Sequence, residues 1–255
     1  IHYARYQARS ASRNNRFQVR LKAETLEFPE KGVDIADSTI FIWPFNLDMK
    51  GAVLKYATAQ LINTSGSDYF FFQNRRIPVE MAFAASGIER VDVPGQSWAK
   101  VEKKQDRFVV SGMKPGARCK VVLRLKDGSV RTLFVLTEEE ADNYWSFIVD
   151  GHKKCYITPA GMYAAKEGVF AYSDEPEIKI SRLSSSGAFE DTLIQVPAVT
   201  PKVVLAPRSL LSGASWLESG NFKQIPARQQ LFHRFFFKEF SLDNPSAFRK
   251  VTFYL

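Results

Sequence analysis

Short runs in which apolar and polar residues alternate recur along most of this chain. In one of them, Phe17, Val19 and Leu21 alternate with Gln18 and Arg20. A period of two is that of a β-strand with one buried face. Similar strand patterns, separated by Gly, Pro, Asn or Asp, occur at Ser38–Leu47, Val53–Ile62, Tyr69–Gln73, Val79–Phe83, Arg107–Ser111, Lys120–Leu125, Val130–Leu136 and Glu177–Arg182. This spacing favours an all-β fold, an antiparallel β-sandwich domain or domains with one short helix, over alternating βα units.

Two tight turns are predicted between these strands. Lys50–Gly51 follows the first long run and precedes Val53–Ile62. Asp127–Gly128 separates Val121–Leu125 from Val130–Leu136 and is the strongest hairpin signal in the chain. An Asp-Gly pair between strands predicts a primed turn, because both central residues must adopt positive φ.

A single helix is predicted over Thr137–Ile148. Thr137 is a suitable N-cap, and Glu140, three residues later, completes a capping box. The acidic run Glu138–Glu140 complements the positive end of the helix dipole, so we interpret it as structural and not as a catalytic cluster. Four apolar or aromatic residues then follow at helical spacing: Ala141, Tyr144, Trp145 and Ile148.

Prolines mark the clearest domain boundary. Three of them (Pro197, Pro201 and Pro207) lie between residues 197 and 207, so we predict a sandwich region over residues 29–196 and a separate Pro-rich segment over 197–255. A break near residue 116 is the place where the sandwich region would divide into two subdomains. Both ends of the chain, Ile1–Tyr6 and Arg249–Leu255, carry strand patterns, and we expect them to be cuts through a larger protein.

The net charge of +8 invites a nucleic-acid hypothesis, which the pattern does not favour. Five arginines (Arg5, Arg9, Arg13, Arg16 and Arg20) would share one face of a helix, but the alternation at Phe17–Leu21 predicts a strand there. Elsewhere basic residues are interleaved with acidic ones, and no zinc-finger or RNP signature occurs. We expect a solvated surface and no nucleic-acid partner. No apolar run approaches the ~20 residues of a membrane span.

The residues alone indicate no catalytic, metal or cofactor site. His2, His152 and His233 are far apart in sequence, and no metal-ligand spacing or glycine-rich phosphate loop occurs. Cys119 and Cys155 lack the context of a nucleophile and are interpreted as small buried apolar residues. Whether the two cysteines form one disulfide is left open by the sequence.

Five segments carry a resemblance to a known family: Ile40–Met49, Leu54–Gln60, Tyr69–Phe72, Ile77–Phe83 and Leu136–Trp145. In this order they resemble the β-rich region that follows the catalytic barrel in large bacterial glycoside hydrolases of family 35, the β-galactosidase type. Ile1–Gln7 is similar to the strand by which those proteins leave the barrel. Leu231–Leu255 resembles the first strands of a jelly-roll domain of carbohydrate-binding type.

The resemblance implies a periplasmic or extracellular (secreted) bacterial enzyme that hydrolyses terminal β-galactosides with retention, through a covalent glycosyl-enzyme. In that family the acid/base glutamate follows an asparagine on a barrel strand, and the nucleophile is a second barrel glutamate. This chain contains no Asn-Glu dipeptide, so no catalytic residue is transferred to it. The expectation is a non-catalytic sandwich portion whose partner is the missing catalytic barrel, with residues 1–28 as the strands leading in from it.

The alternative function is that of an accessory module that binds oligosaccharide through exposed loop aromatics. Trp98 and Trp216 lie in loop-like sequence and are the candidate substrate-binding residues. Trp43 and Trp145 follow the periodicities predicted for a strand and a helix, and we assign them to the core. Because sugars stack on exposed aromatic faces, solvent exposure of the two loop tryptophans separates this alternative from a purely structural role.

Overall fold

The computed structural model of the chain describes residues 11–21, 24–37, 39–74, 76–166, 168–173 and 175–196. The strand predicted at Ile1–Tyr6 and the Pro-rich and jelly-roll segment at 197–255, which includes Trp216, lie outside the described residues. The elements are, in chain order, β1 (Ser12–Arg20), β2 (Thr25–Ile35), β3 (Phe45–Asp48), β4 (Val53–Ala57), β5 (Gln60–Ser65), β6 (Asp68–Phe72), β7 (Met81–Ala84), β8 (Ile88–Asp92), β9 (Lys100–Lys103), β10 (Arg107–Ser111), β11 (Lys120–Leu125), β12 (Val130–Leu136), α1 (Glu138–Asp142), β13 (Tyr144–Val149), β14 (His152–Ile157), β15 (Gly161–Ala165), β16 (Gly168–Tyr172), β17 (Glu177–Leu183) and β18 (Phe189–Gln195).

The centre of the structure is a sandwich of two five-stranded sheets. Sheet I has the strand order β3-β4-β7-β10-β9, and sheet II has the order β5-β6-β12-β11-β8. Strands β6 and β12 pair in parallel, whereas the other pairs within the two sheets are antiparallel. The predicted fold class, an all-β antiparallel sandwich with one short helix, is confirmed.

The facing sides of sheets I and II bury the largest apolar core of the described residues. Leu54 and Phe83 contribute to it from sheet I, and Leu123 and Val135 from sheet II, all with no exposed surface. Each alternates along its strand with residues that point away from this core, as the period of two requires. Both sheets therefore present a second face that needs its own cover.

A two-stranded ribbon covers the second face of sheet I. This ribbon consists of β1 and β2, and it packs Phe17 and Phe28 against Tyr56 and Val109 of sheet I. Phe28 and Tyr56 stack with their ring centroids 4.9 Å apart. The alternation predicted at Phe17–Leu21 is thus realised in β1, with Phe17 and Val19 facing the core.

Sheet III, with the strand order β13-β14-β17-β18, covers the second face of sheet II. Phe70 and Phe134 of sheet II pack there against Phe189 of β18. On its far side, sheet III is covered in turn by the ribbon of β15 and β16, which contributes Met162. The described residues therefore form five stacked layers: the β1–β2 ribbon, sheet I, sheet II, sheet III and the β15–β16 ribbon. The outer face of the β15–β16 ribbon is exposed.

The predicted capping box forms, but the helix is shorter than predicted. Thr137 Oγ1 accepts a hydrogen bond from the backbone N of Glu140 (3.1 Å), and Glu140 Oε2 accepts one from the backbone N of Thr137 (2.9 Å). Glu140 Oε1 also accepts from the backbone N of Ala117 (2.9 Å), which ties the helix to the connection between β10 and β11. The helix ends at Asp142.

The prediction of a helix reaching Ile148 is wrong, because Tyr144–Val149 forms strand β13, paired with β14. Tyr144 faces the cluster between sheets II and III, whereas Trp145 faces the cluster on the opposite side of sheet III. Aromatic and β-branched residues favour strands, and pairing with β14 buries surface on both sides. Tertiary pairing therefore outweighs the helical spacing of these residues.

The two predicted turns differ in their outcome. At Lys50–Gly51 both residues have positive φ (57° and 102°), and Met49 N donates to Ala52 O (2.8 Å), which confirms a tight turn. The Asp127–Gly128 hairpin is confirmed, but the prediction that a primed turn closes it is wrong. Gly128 (φ 83°) donates to Leu125 O in a three-residue loop with a glycine bulge, and Asp127 Oδ1 accepts from the backbone N and Oγ of Ser129. That Asx contact favours the longer loop.

The predicted domain boundaries fall at these places in the structure. The boundary between residues 28 and 29 lies inside β2 (Thr25–Ile35). Residue 116 lies in the connection between β10 and β11, which belong to the two facing sheets of one sandwich. The division of the chain into domains stays a prediction.

Candidate functional site

Trp98, a predicted sugar-contacting residue, lies on the surface with 56% of its area exposed. It belongs to the loop between β8 and β9. Gln96 fastens this loop to the connection between β10 and β11, because its Nε2 donates to Lys114 O (2.9 Å) and its Oε1 accepts from Lys114 N (2.8 Å). These two hydrogen bonds fix the loop that carries Trp98, and its indole faces solvent. The second candidate, Trp216, lies outside the described residues.

The other tryptophans lie inside the layers. Trp43 is buried, and its ring stacks on that of Phe41 with the centroids 4.0 Å apart. Its place is the segment just before β3, so its assignment to the core is confirmed. Trp145 packs between sheet III and the β15–β16 ribbon, and its Nε1 donates to Thr158 O (3.1 Å). Trp145 lies in strand β13 and not in the predicted helix.

A second exposed aromatic surface lies on the β15–β16 ribbon and was not predicted. Tyr163 directly opposes Phe170 across the ribbon, and Tyr172 opposes Gly161. Tyr163 and Phe170 stack at 5.3 Å with 18° between their planes, and the ring of Tyr172 lies 6.4 Å from that of Tyr163. The three rings are 51%, 41% and 62% exposed in chain order. We call Tyr163, Phe170 and Tyr172 the aromatic face.

Gly161 determines where the ring of Tyr172 lies. A Cβ atom at residue 161 would overlap the Tyr172 ring, so the ring lies directly over the glycine backbone. A glycine inside a strand weakens the strand, and it is often found where another group must approach the backbone closely. The sequence shows only that Gly161 alternates with Tyr163 and that Phe170 alternates with Tyr172, because the pairing of Gly161 with Tyr172 depends on the register of β15 and β16.

The aromatic face has the chemistry of a carbohydrate-stacking surface. Its rings are large, apolar and partly coplanar, and two of them carry hydroxyl groups that can exchange hydrogen bonds with a ligand. The C–H face of a pyranose is apolar, while its edge carries hydroxyl groups, so a flat ring with polar handles complements it. An exposed apolar surface of this kind also suits protein contact, which is the competing use.

Glu80 is the single charged residue that is buried among the described residues. Its Oε1 accepts hydrogen bonds from Tyr56 Oη (2.8 Å) and from the backbone N of Glu30 in β2 (2.9 Å). Burial raises the pKa of Glu80 and, with the adjacent Glu80 carboxyl, raises the pKa of Tyr56 well above its usual range. These contacts join the β1–β2 ribbon to sheet I, which assigns Glu80 to the packing of the layers.

Comparison with known proteins gives no match to any family model and none to any curated protein sequence. The function of this chain therefore rests on its residues and their geometry.

Both cysteines are free and buried, so the disulfide that the sequence left open is not formed. Burial raises the pKa of Cys119 to about 11. Burial likewise raises the pKa of Cys155, whose Sγ accepts a hydrogen bond from Tyr144 Oη (3.0 Å). At neutral pH both groups are thiols and not thiolates, so neither has the character of a nucleophile.

The part of the chain that the structure describes contains neither a metal-ligand cluster nor a membrane-spanning helix. No group of three or more His, Cys, Asp or Glu side chains is placed there to hold a metal ion. No described helix has the length and apolar character needed to cross a bilayer.

Proposed function

We propose that this chain is a non-catalytic β-sandwich region of a glycoside hydrolase of the β-galactosidase type, whose whole protein hydrolyses terminal β-galactosides. One observation supports the proposal: four of the five segments that resemble this family contribute strands to a single sandwich, and the fifth, Leu136–Trp145, contains α1. Ile40–Met49 contains β3, Leu54–Gln60 overlaps β4, Tyr69–Phe72 overlaps β6, and Ile77–Phe83 overlaps β7. A resemblance that coincides with the core strands is the kind expected of shared structure.

Catalysis belongs, in this proposal, to a barrel domain that packs against the sandwich. Retaining hydrolysis needs two carboxyl groups about 5 Å apart in an open cleft. Glu80, the one carboxyl buried among the described residues, lies between layers and accepts two hydrogen bonds, which makes it unsuited to that role. The resemblance further supports a periplasmic or extracellular location for the whole protein.

The mass of the natural polypeptide tests this proposal. An antibody raised against the chain should detect, in the source organism, a polypeptide larger than 28.9 kDa by at least a barrel of about 250 residues. The protein captured in this way should cleave a nitrophenyl β-galactoside, while the 255-residue chain alone should not. A natural polypeptide near 28.9 kDa, or turnover by the repurified chain that a carboxylate substitution abolishes, would contradict the proposal.

The aromatic face favours a second candidate, direct binding of oligosaccharide. It is the observation that distinguishes this chain from a purely structural layer, because Tyr163 and Tyr172 expose more than half of their area at the end of the stack. Trp98 offers a separate exposed ring, in the loop between β8 and β9. The two surfaces are tested separately, since either of them could bind a sugar without the other.

Binding of galacto-oligosaccharides, measured by calorimetry, tests the second candidate. Tyr163→Ala should weaken binding by about 10-fold, because one stacked ring contributes about 1 kcal/mol beyond its buried area. Tyr172→Phe keeps the ring and should keep most of the affinity, and Leu193→Ala, an exposed apolar change on β18, should have no effect. Equal affinity in Tyr163→Ala and the unaltered chain would exclude the aromatic face as the binding site. A loss of affinity confined to Trp98→Ala would assign binding to the loop between β8 and β9.

A further inference from the structure

A shallow depression of about 420 Å³ lies on sheet II between β8 and β11. Strand β8 is the edge of this sheet, and β11 is its neighbour. Along β11, Val121, Leu123 and Leu125 face the core, so the residues between them face the other way and line the depression. The lining residues are Arg90, Asp92, Val93, Pro94, Lys120, Val122 and Arg124.

The depression concentrates positive charge. Arg90 and Arg124 stand directly opposite each other in the register of β8 and β11, and Lys120 adds a third cation. Asp92 is the one carboxylate among the described residues of the lining, so their charge is three positive less one negative, a net +2. Like charges directly opposite across antiparallel strands repel each other, so this arrangement lowers stability unless an anion compensates it.

Asp92 forms a hydrogen-bonded ion pair with Arg90 and a longer ion pair with Arg124. Its Oδ1 lies 2.7 Å from Arg90 Nε, and its Oδ2 lies 3.8 Å from Arg124 Nε. Among the described residues, no hydrogen bond engages the terminal nitrogens of either arginine. Both side chains are well exposed, 69% for Arg90 and 60% for Arg124. The paired terminal nitrogens of a guanidinium match two oxygens of a carboxylate, sulfate or phosphate.

The remaining lining residues are apolar and limit the size of a ligand. Val93, Pro94 and Val122 supply surface for a small organic group beside the cations. A volume of about 420 Å³ lies near the lower end of the range of small-molecule sites. Lys120 Nζ donates to the carbonyl of Gly187 (3.2 Å), so its ammonium is held by the turn between β17 and β18.

We propose that this depression is a binding site for an acidic group, a sulfate, phosphate or carboxylate, carried by a small ligand. The terminal nitrogens of Arg90 and Arg124 donate hydrogen bonds to the oxygens of that group. Asp92 orients the guanidiniums through its ion pairs with them, and Lys120 adds a third positive charge. The proposal does not depend on the proposed function, because it needs neither a barrel domain nor the aromatic face.

NMR titration of the whole chain tests this site. Three probes are used separately: inorganic sulfate, inorganic phosphate and glucuronate. Each binding probe should shift the backbone amide signals of residues 90–94 and 120–124. Preference for sulfate and phosphate would assign a tetrahedral oxyanion, and preference for glucuronate would assign a carboxylate. Absence of saturable shifts with all three probes, or shifts located elsewhere, would overturn the proposal.

Substitution of the two arginines supplies the second test. Arg90→Gln and Arg124→Gln should each weaken binding by about 10-fold, because each removes a charge-assisted, two-point contact. Arg13→Gln on β1 is the matched control: it removes the same charge from an exposed arginine of another sheet and should leave affinity unchanged. An equal loss in Arg13→Gln would mean that net charge alone attracts the anion and would overturn the site.

Discussion

Phe134→Ala is expected to lower the free energy of unfolding by about 3–5 kcal/mol. Phe134 is 1% exposed and stacks on Phe70 with their centroids 5.1 Å apart, while Phe189 meets it edge-on at 5.6 Å. Truncation removes the ring that joins sheet II to sheet III and leaves a cavity between them. The loss includes both the transfer of the ring from water and the contacts of its neighbours.

Denaturant unfolding followed by circular dichroism measures this effect. Phe170→Ala is the matched control, because Phe170 also lies on a strand but is 41% exposed. The control loses the stacking of Phe170 on Tyr163, so it should lower stability by a smaller amount, about 0.5–1.5 kcal/mol. Equal stability of Phe134→Ala and Phe170→Ala would contradict the assignment of Phe134 to the joint between the sheets.

Glu80→Ala is expected to lower the free energy of unfolding by about 2–4 kcal/mol, because it leaves the hydroxyl of Tyr56 and the backbone N of Glu30 without their acceptor. Glu80→Gln keeps a side-chain oxygen at the same place, so it should lose much less. Unfolding midpoints of the two variants at neutral pH measure the difference. Equal losses would mean that the two hydrogen bonds do not stabilise the fold.

The same residue predicts a pH dependence with a definite sign. Burial raises the pKa of Glu80 in the folded state above its ordinary value of about 4.3. Between these two pKa values the folded state binds more protons than the unfolded state, so the contribution of Glu80 to stability falls as pH rises. It is fully present below the ordinary pKa. Glu80→Gln lacks this titration, so its stability relative to the unaltered chain should increase as pH rises from 4 towards 7.

Unfolding of both proteins in denaturant at several pH values across that window checks this prediction. A stability difference between Glu80→Gln and the unaltered chain that stays constant with pH would show that the folded and unfolded states bind the Glu80 proton equally.

The strand prediction succeeded for runs that lie wholly within one sheet, as Arg107–Ser111 does in β10. Lys120–Leu125 and Val130–Leu136 were predicted with the bounds that β11 and β12 have. The run Val53–Ile62 was predicted as one strand, but it forms β4 in sheet I and β5 in sheet II. At the corner between them, Thr58 N donates to Glu80 O (2.9 Å), and Thr58 Oγ1 donates to Pro78 O (2.8 Å). These partners are 20 and 22 residues away, so local pattern carries no trace of them.

The candidate sites likewise divide into those that local sequence can indicate and those that depend on strand pairing. Trp98 was predicted from its loop-like sequence alone; its side chain is exposed, and its contact with a sugar stays a prediction. The aromatic face was missed, because Tyr163 and Phe170 become neighbours only through the register of β15 and β16. The basic depression was missed for the same reason: Arg90 and Arg124 are far apart in the chain and meet across β8 and β11.

The sequence by itself determined that this chain forms strands, where its capping box starts a helix and where its tight turns fall. These features depend on residues within a few positions of one another, and their period and turn chemistry are local. Only the tertiary structure decided that α1 ends at Asp142, that β13 follows it and that two arginines share a depression. Which strands pair depends on the apolar surface that pairing buries between residues far apart in sequence. The free energy of this burial depends on the packed layers together and cannot be read from any one segment.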